Sequence, residues 1–142
     1  MRVMVILKAT PNSESGVMPA MEDIEKTIRF NEEMTKAGIL KAADGLKPSQ
    51  FGKRINFRPH RKPSVTDGPF AETKELVAGY WIWEVKSMDE AMAWAMRIPS
   101  PSGQELDVGV RPFFGPEDFC EEFTPDQQNR VEEMHRTVEA KA

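Results

Sequence analysis

Residues 65–75 read VTDGPFAETKE and set three carboxylates, Asp67, Glu72 and Glu75, close in sequence to one ammonium, Lys74. Carboxylates grouped around a cation can separate their pKa values by repulsion and pairing, which is what acid and base roles require. Asp67 has two readings. An aspartate opening a turn bonds nearby backbone amides while the following Gly68 and Pro69 set the backbone angles. Alternatively it stands at the mouth of a cleft as a general base or ligand acceptor. Lys74 likewise is either the site's ammonium or half of a surface ion pair worth at most about 1 kcal/mol. Tyr80, Trp81 and Trp83 follow; they read first as core and dimer filling, because aromatic rings are large apolar payload, although a buried Tyr80 needs a hydrogen-bond partner. Arg54 and Arg111 supply guanidinium groups able to orient an anion. Arg111 lies on the polar side of the last predicted strand, suited to a bidentate carboxylate or phosphate clamp, with a pair to Asp107 as the alternative.

Other chemistries have no local signature. His60, His135 and Cys120 are scattered, without a CxxC pair or an HExxH motif, so no metal site is expected. No glycine-rich phosphate loop, GxSxG elbow or dinucleotide fingerprint occurs, so the expected site is free of cofactor. One cysteine cannot close an internal disulfide, and Val3 to Leu7 is too short an apolar run for a leader or a membrane span, which points to a reducing, cytoplasmic setting. The net charge of −4 argues against a duplex nucleic-acid binder. That charge is unevenly spread: residues 45–66 carry six cations and no acid, whereas residues 116–142 carry eight acids against three cations. The two stretches are either solvated surfaces of opposite sign, or an anion-attracting loop and an intersubunit complement.

These groups are positioned by elements legible in the apolar pattern of the 142 residues, enough for one domain. Val3 to Lys8 reads as a strand, and Met21 to Ala37 as a helix through Met21, Ile24, Ile28 and Met34, ended by Gly38. Ile39 to Leu46 is the second strand. A hairpin is expected from Lys53–Phe57 and Ser64–Thr66 around the Pro59–Pro63 loop. Leu76 to Val85 is the strongest strand signal. Ser87 and Glu90 form a capping box before a helix with Ala91, Trp94, Ala95 and Ile98 on one face. Glu105 to Phe114 alternates as a half-buried strand, and Thr124, Pro125 and Gln127 start a last helix striped by Val131, Met134 and Val138 that must dock on something.

The order matches an α+β, ferredoxin-like split βαβ plan with an inserted hairpin and a C-terminal helix. Parity adds a consequence. Val77, Trp81, Trp83 and Val85 share one strand face, while Leu76, Ala78, Tyr80 and Ile82 share the other, and two helices blanket only one face. A homodimer with sheets packed face to face is the economical cover.

The VTDGPFAETKE string, leading into Gly79 and Tyr80, resembles the DGPF signature of the YCII-related family. Met4–Leu7, Gly38–Leu46 and the run into Arg111 fall where that family has counterparts, so the resemblance covers a domain of residues 1–113 and leaves 114–142 as an acidic helical extension. It implies a ferredoxin-like subunit of a dimeric α+β barrel, in agreement with the parity argument. Some relatives are associated with extracytoplasmic-function sigma factors, and others are suspected enzymes through a His and Asp pair. The short relatives carry that histidine on the first helix, where Glu22 to Lys36 has none.

Two functions therefore compete. One is a dimer with a small-molecule cleft beside the DGPF segment, an enzyme if Asp67 serves as acid or base, with Arg54 and Arg111 orienting an anion and Glu72, Lys74 and Tyr80 as further ligand-binding residues. The other is a non-catalytic regulatory module that engages a protein partner. Convergence of Asp67, Lys74, Tyr80 and an arginine on a concave surface favours the first, and dispersal on convex surface favours the second.

Overall fold

In the computed structural model, residues 1–101, 103–119 and 122–142 are described; Cys120, considered above as a thiol ligand, lies outside them. Four strands, β1 (Arg2–Lys8), β2 (Leu40–Gly45), β5 (Val77–Glu84) and β6 (Val108–Pro112), form an antiparallel sheet in the order β2-β5-β1-β6. Strands β3 (Lys53–Asn56) and β4 (Ser64–Asp67) pair separately as the inserted hairpin. Helix α1 is a single turn (Pro11–Glu14), and α2 (Met21–Lys36), α3 (Met88–Ala95) and α4 (Pro125–Lys141) are longer. With the hairpin set aside, this is the ferredoxin-like arrangement: the two central strands are the first and third of the plan, each flanked by an edge strand.

One sheet face is closed. Val3, Val5, Trp81, Trp83 and Val85 are buried beneath α2 and α3, which contribute Phe30, Met34 and Ala91. Phe30 meets Trp81 and Trp83 edge-on at centroid distances of 6.0 and 6.4 Å, the geometry that sets positive ring edge against negative ring face. The indole N–H of Trp81 donates to Asn31 Oδ1 at 2.8 Å, whereas that of Trp83 finds no acceptor among the described residues.

Several boundaries and faces differ from the sequence expectation. On α2 the buried positions are Phe30 and Met34, and Met21 and Ile28 point to solvent. The tryptophans decide this, because Phe30 must meet their rings and that rotation turns Met21 and Ile28 outward. Gly38 does end the helix region at a φ of +74°. Val77 shares the parity of Trp81 yet is exposed, since a bulge between Leu7 and Lys8 shifts the register where Lys8 pairs with Val77. Ser87 Oγ accepts from the Glu90 N–H, but the Glu90 carboxylate reaches the Lys86 N–H rather than that of the cap. The last strand is shorter than Glu105 to Phe114, and Leu106 lies outside it. Pro11–Glu14, outside every element expected from the sequence, is a helical turn with a Thr10–Ser13 capping box. Helix α4 has both arms of the box expected at Thr124 and Gln127, yet every one of its residues is exposed, so its stripe is not buried against the other described residues.

Candidate functional site

The DGPF segment ends β4 and is clamped from four sides. Lys53 and Asp67 are cross-strand partners in the hairpin, and Lys53 Nζ lies 2.5 Å from Asp67 Oδ1 with both side chains largely exposed. The Gly68 N–H donates to the Gly52 carbonyl at 3.0 Å, and the Gly68–Pro69 peptide is cis. A Cβ on Gly68 would sit 1.8 Å from the Ser49 carbonyl oxygen, so no other residue fits there without parting two backbone segments. The Phe70 N–H donates to Ser49 Oγ at 3.0 Å, and the Arg54 guanidinium lies 3.9 Å from the Phe70 ring centroid.

Ser49 passes this clamp to the rest of the domain. Its N–H donates to Glu14 Oε1 at 3.0 Å and its hydroxyl donates to Glu14 Oε2 at 2.5 Å. A carboxylate that accepts from both donors of one serine makes charge-assisted bonds, the stronger kind. Sequence reading missed Glu14 and Ser49 altogether. Their only local trace is the capping box that sets Glu14 at the end of α1; the contact spans 35 positions, which no periodicity reports.

The other nominated residues lie elsewhere. Glu72 and Lys74 occupy the exposed turn before β5, and neither forms an ion pair among the described residues. Tyr80 projects from the sheet face opposite the tryptophans. Its hydroxyl donates to Asp44 Oδ2 at 3.1 Å across the β2–β5 pair, and this bond holds the phenol proton, raising its pKa above the ordinary 10.0. Arg111 stands on the same face, opposite Met4 in the β1–β6 ladder. No ion pair joins it to Asp107 or to any other described carboxylate. Counting strands at about 4.8 Å and residues at about 3.4 Å, Tyr80 and Arg111 are roughly 12 Å apart at their Cα positions, with Met4, Ile6 and Ile82 between them.

The six residues thus fall into two groups and a turn: Asp67 and Arg54 on the hairpin, Tyr80 and Arg111 on the open sheet face, Glu72 and Lys74 between. Among the described residues no hydrogen bond or ion pair joins any of the six to another: Asp67 pairs with Lys53, Arg54 lies on Phe70 and Tyr80 bonds Asp44. Two depressions in the surface are lined by other residues. One depression of about 310 Å³ is lined by Phe123, Gln127, Arg130, Val131 and Met134. A second, of about 260 Å³, lies beside the Arg97–Glu33 ion pair, whose hydrogen bond holds the Glu33 carboxyl below its ordinary value. Among the described residues no group of three histidine, cysteine or carboxylate side chains is placed to hold a metal ion, and no helix is long and apolar enough to cross a membrane.

The strand order and the two helices on one face define the class: an α+β protein of ferredoxin-like architecture. The chain belongs to the YCII-related domain family, whose model matches residues 1–113. An uncharacterised protein of Rhizobium meliloti (strain 1021) is 40% identical over 48 residues, which take in 34% of this chain and 39% of the relative's length. Among solved structures, 5-chloro-2-hydroxyhydroquinone dehydrochlorinase from Burkholderia phenoliruptrix AC1100, in complex with 2,5-dihydroxybenzoquinone, is similar at a TM-score of 0.44 and 14% identity, covering 83% of this chain and 98% of that one.

Proposed function

We propose that this protein is a homodimer that binds a small organic anion on the open face of its sheet, in a cleft completed by a second copy. The observation that carries the reading is the composition of that face. It has an apolar floor of Met4, Ile6 and Ile82, an arginine with no ion-pair partner among the described residues at one end and a tyrosine–aspartate hydrogen bond at the other. No described helix covers it. An apolar floor with a few oriented polar groups is the usual make-up of a small-molecule site.

The chemistry of the ends sets the ligand class. Arg111 offers a planar fork of donors that matches a carboxylate or phosphate. The Tyr80 hydroxyl spends its proton on Asp44 and so presents lone pairs, as does the second Asp44 oxygen; this end accepts from a ligand hydroxyl or amine. In this reading Asp67 and Arg54, tied to Lys53 and to Phe70, hold the hairpin that flanks the face, and Glu72 and Lys74 lie at the approach to β5.

A second reading, a protein-interaction module, draws on the dispersal of Asp67, Arg54, Glu72 and Lys74 over exposed surface. One experiment separates the two. Sedimentation equilibrium should give a dimer at micromolar concentration, and thermal-shift screening against small carboxylates and phosphates should give ligands whose stabilisation is lost in Arg111→Gln and reduced in Tyr80→Phe. A monomer, or ligand shifts indifferent to both substitutions, would overturn the sheet-face site.

A further inference from the structure

We infer that the anion bound on the open sheet face is a phosphomonoester dianion, held by Arg2 together with Arg111. The inference rests on the sheet-face reading above and adds to it a second guanidinium and the charge of the ligand.

Arg2 opens β1 and shares the alternation of Met4 and Ile6, so it stands on the open face, opposite Glu84 on the β5 side. On the β6 side, the ladder sets Met4 opposite Arg111 and Val3 opposite Pro112. A further bond, from the Phe113 N–H to the Arg2 carbonyl at 3.1 Å, carries that ladder one residue past the strand and places Phe113 opposite Arg2. Arg2 and Arg111 are therefore diagonal neighbours on one face, about 7–8 Å apart, a separation that long side chains bridge.

The Arg2 side chain turns toward β6. Its Cζ lies 4.8 Å from the centroid of the Phe113 ring, and Phe113 is two residues along from Arg111 on the same face. A ring face attracts a guanidinium but offers it no oxygen acceptor. Among the described residues neither Arg2 nor Arg111 has an ion pair or a side-chain hydrogen bond. Glu84, the acid opposite Arg2, instead meets the Met1 ammonium, with Oε1 at 3.1 Å.

Two planar forks side by side bring two positive charges to one place. A carboxylate compensates one of them. A phosphomonoester has three terminal oxygens and, above its second pKa of about 6, carries nearly two negative charges on a single tetrahedral centre, enough for both forks. Closing the face with a second copy takes these groups out of water, where two guanidiniums left without counter-charge are costly, so ligand charge and closure favour each other. The apolar part of such a ligand has Met4 and Ile82 beside the arginines to rest on.

The test is calorimetric titration of the full chain near pH 8 with three aromatic anions: phenyl phosphate, benzenesulfonate, which has the same tetrahedral head with one charge, and phthalate, whose two charges sit on separate carboxylates. Phenyl phosphate should bind at least tenfold more tightly than either of the others. Arg2→Gln should abolish that preference while benzenesulfonate still binds, and Arg111→Gln should weaken all three. Arg2→Lys, with the charge but not the fork, should lie between parent and Arg2→Gln, and it carries the test if the glutamine variant does not fold. Equal binding of phenyl phosphate and benzenesulfonate, phthalate as tight as phenyl phosphate, or a preference unchanged without Arg2 would overturn the inference; if Arg111→Gln still weakened binding, the sheet-face site would stand. Binding of none of the three, or binding indifferent to Arg111→Gln, would overturn that site and the inference with it.

Discussion

Gly68→Ala tests whether the DGPF segment is held as a clamp. The added methyl would sit 1.8 Å from the Ser49 carbonyl oxygen and 2.7 Å from its carbon, and both belong to backbone, so no rotamer change relieves the clash. The chain has two responses. It can keep the contact under strain, which in packed sites costs about 1–3 kcal/mol. Or it can part the 49–51 turn from residues 68–70, losing the Gly68–Gly52 and Phe70–Ser49 hydrogen bonds at about 1 kcal/mol each. The two routes are similar in size, so the expected loss is about 2 kcal/mol, or about 6–10 °C in melting temperature for a chain of this length. Parting need not unfold the sheet, and amide exchange distinguishes the routes. If the segments part, exchange at Gly68 and Phe70 should speed up by about 30-fold, the equivalent of 2 kcal/mol, with the β1–β5 amides unaffected. An alanine variant that melts within about 2 °C of the parent, with both amides still protected, would refute the clamp.

Ser49→Ala should act on the same unit, removing the acceptor of the Phe70 N–H and one of the two donors to Glu14, with a loss of about 1–3 kcal/mol by thermal melting. Tyr80 is the only tyrosine, so its ionisation can be followed directly by ultraviolet absorbance; the midpoint should lie above 10.0 and return toward it in Asp44→Asn. Because the folded state holds the phenol proton more tightly than the unfolded chain, this contribution to stability is complete below the unfolded value and lost as pH rises through the folded one. Met34→Ala empties a fully buried site beneath the sheet and should cost about 2–5 kcal/mol in a denaturant titration. Asp67→Asn removes one side of an exposed ion pair and should cost no more than about 1 kcal/mol. A tenfold loss of ligand affinity in that variant, with melting unchanged, would place Asp67 in the binding site rather than in the clamp.

The elements with strong periodicity were legible in the sequence because their signals are local. LVAGYWIWEV can be little but a central strand, and the alternation that sets Trp81, Trp83 and Val85 on one face is the one the helices bury. Ser87, Thr124 and Gly38 marked helix ends because capping is settled within four residues of the end. The DGPF string pointed to the family, and the family model covers the same residues 1–113.

What the sequence could not show depends on distances that only the folded chain creates. Which stripe of α2 is buried was decided by where Phe30 meets two tryptophans some fifty positions away, not by the spacing of Met21, Ile24 and Ile28. The partner of Tyr80 was decided by the β2–β5 register, which sets Asp44 opposite it. The cation that Asp67 meets is Lys53, its cross-strand partner in the hairpin, rather than Lys74 seven positions along the chain, and the Arg54 guanidinium lies on Phe70. The clamp through Ser49 and Glu14 joins three loops that share no pattern. Sequence alone determined the longer elements and their order, since these follow from local conformational preference and from alternation along single strands. Tertiary structure alone decided which polar groups face one another, since a hydrogen bond or ion pair across the fold depends on position in space to within an ångström, and chain separation carries no information on that scale.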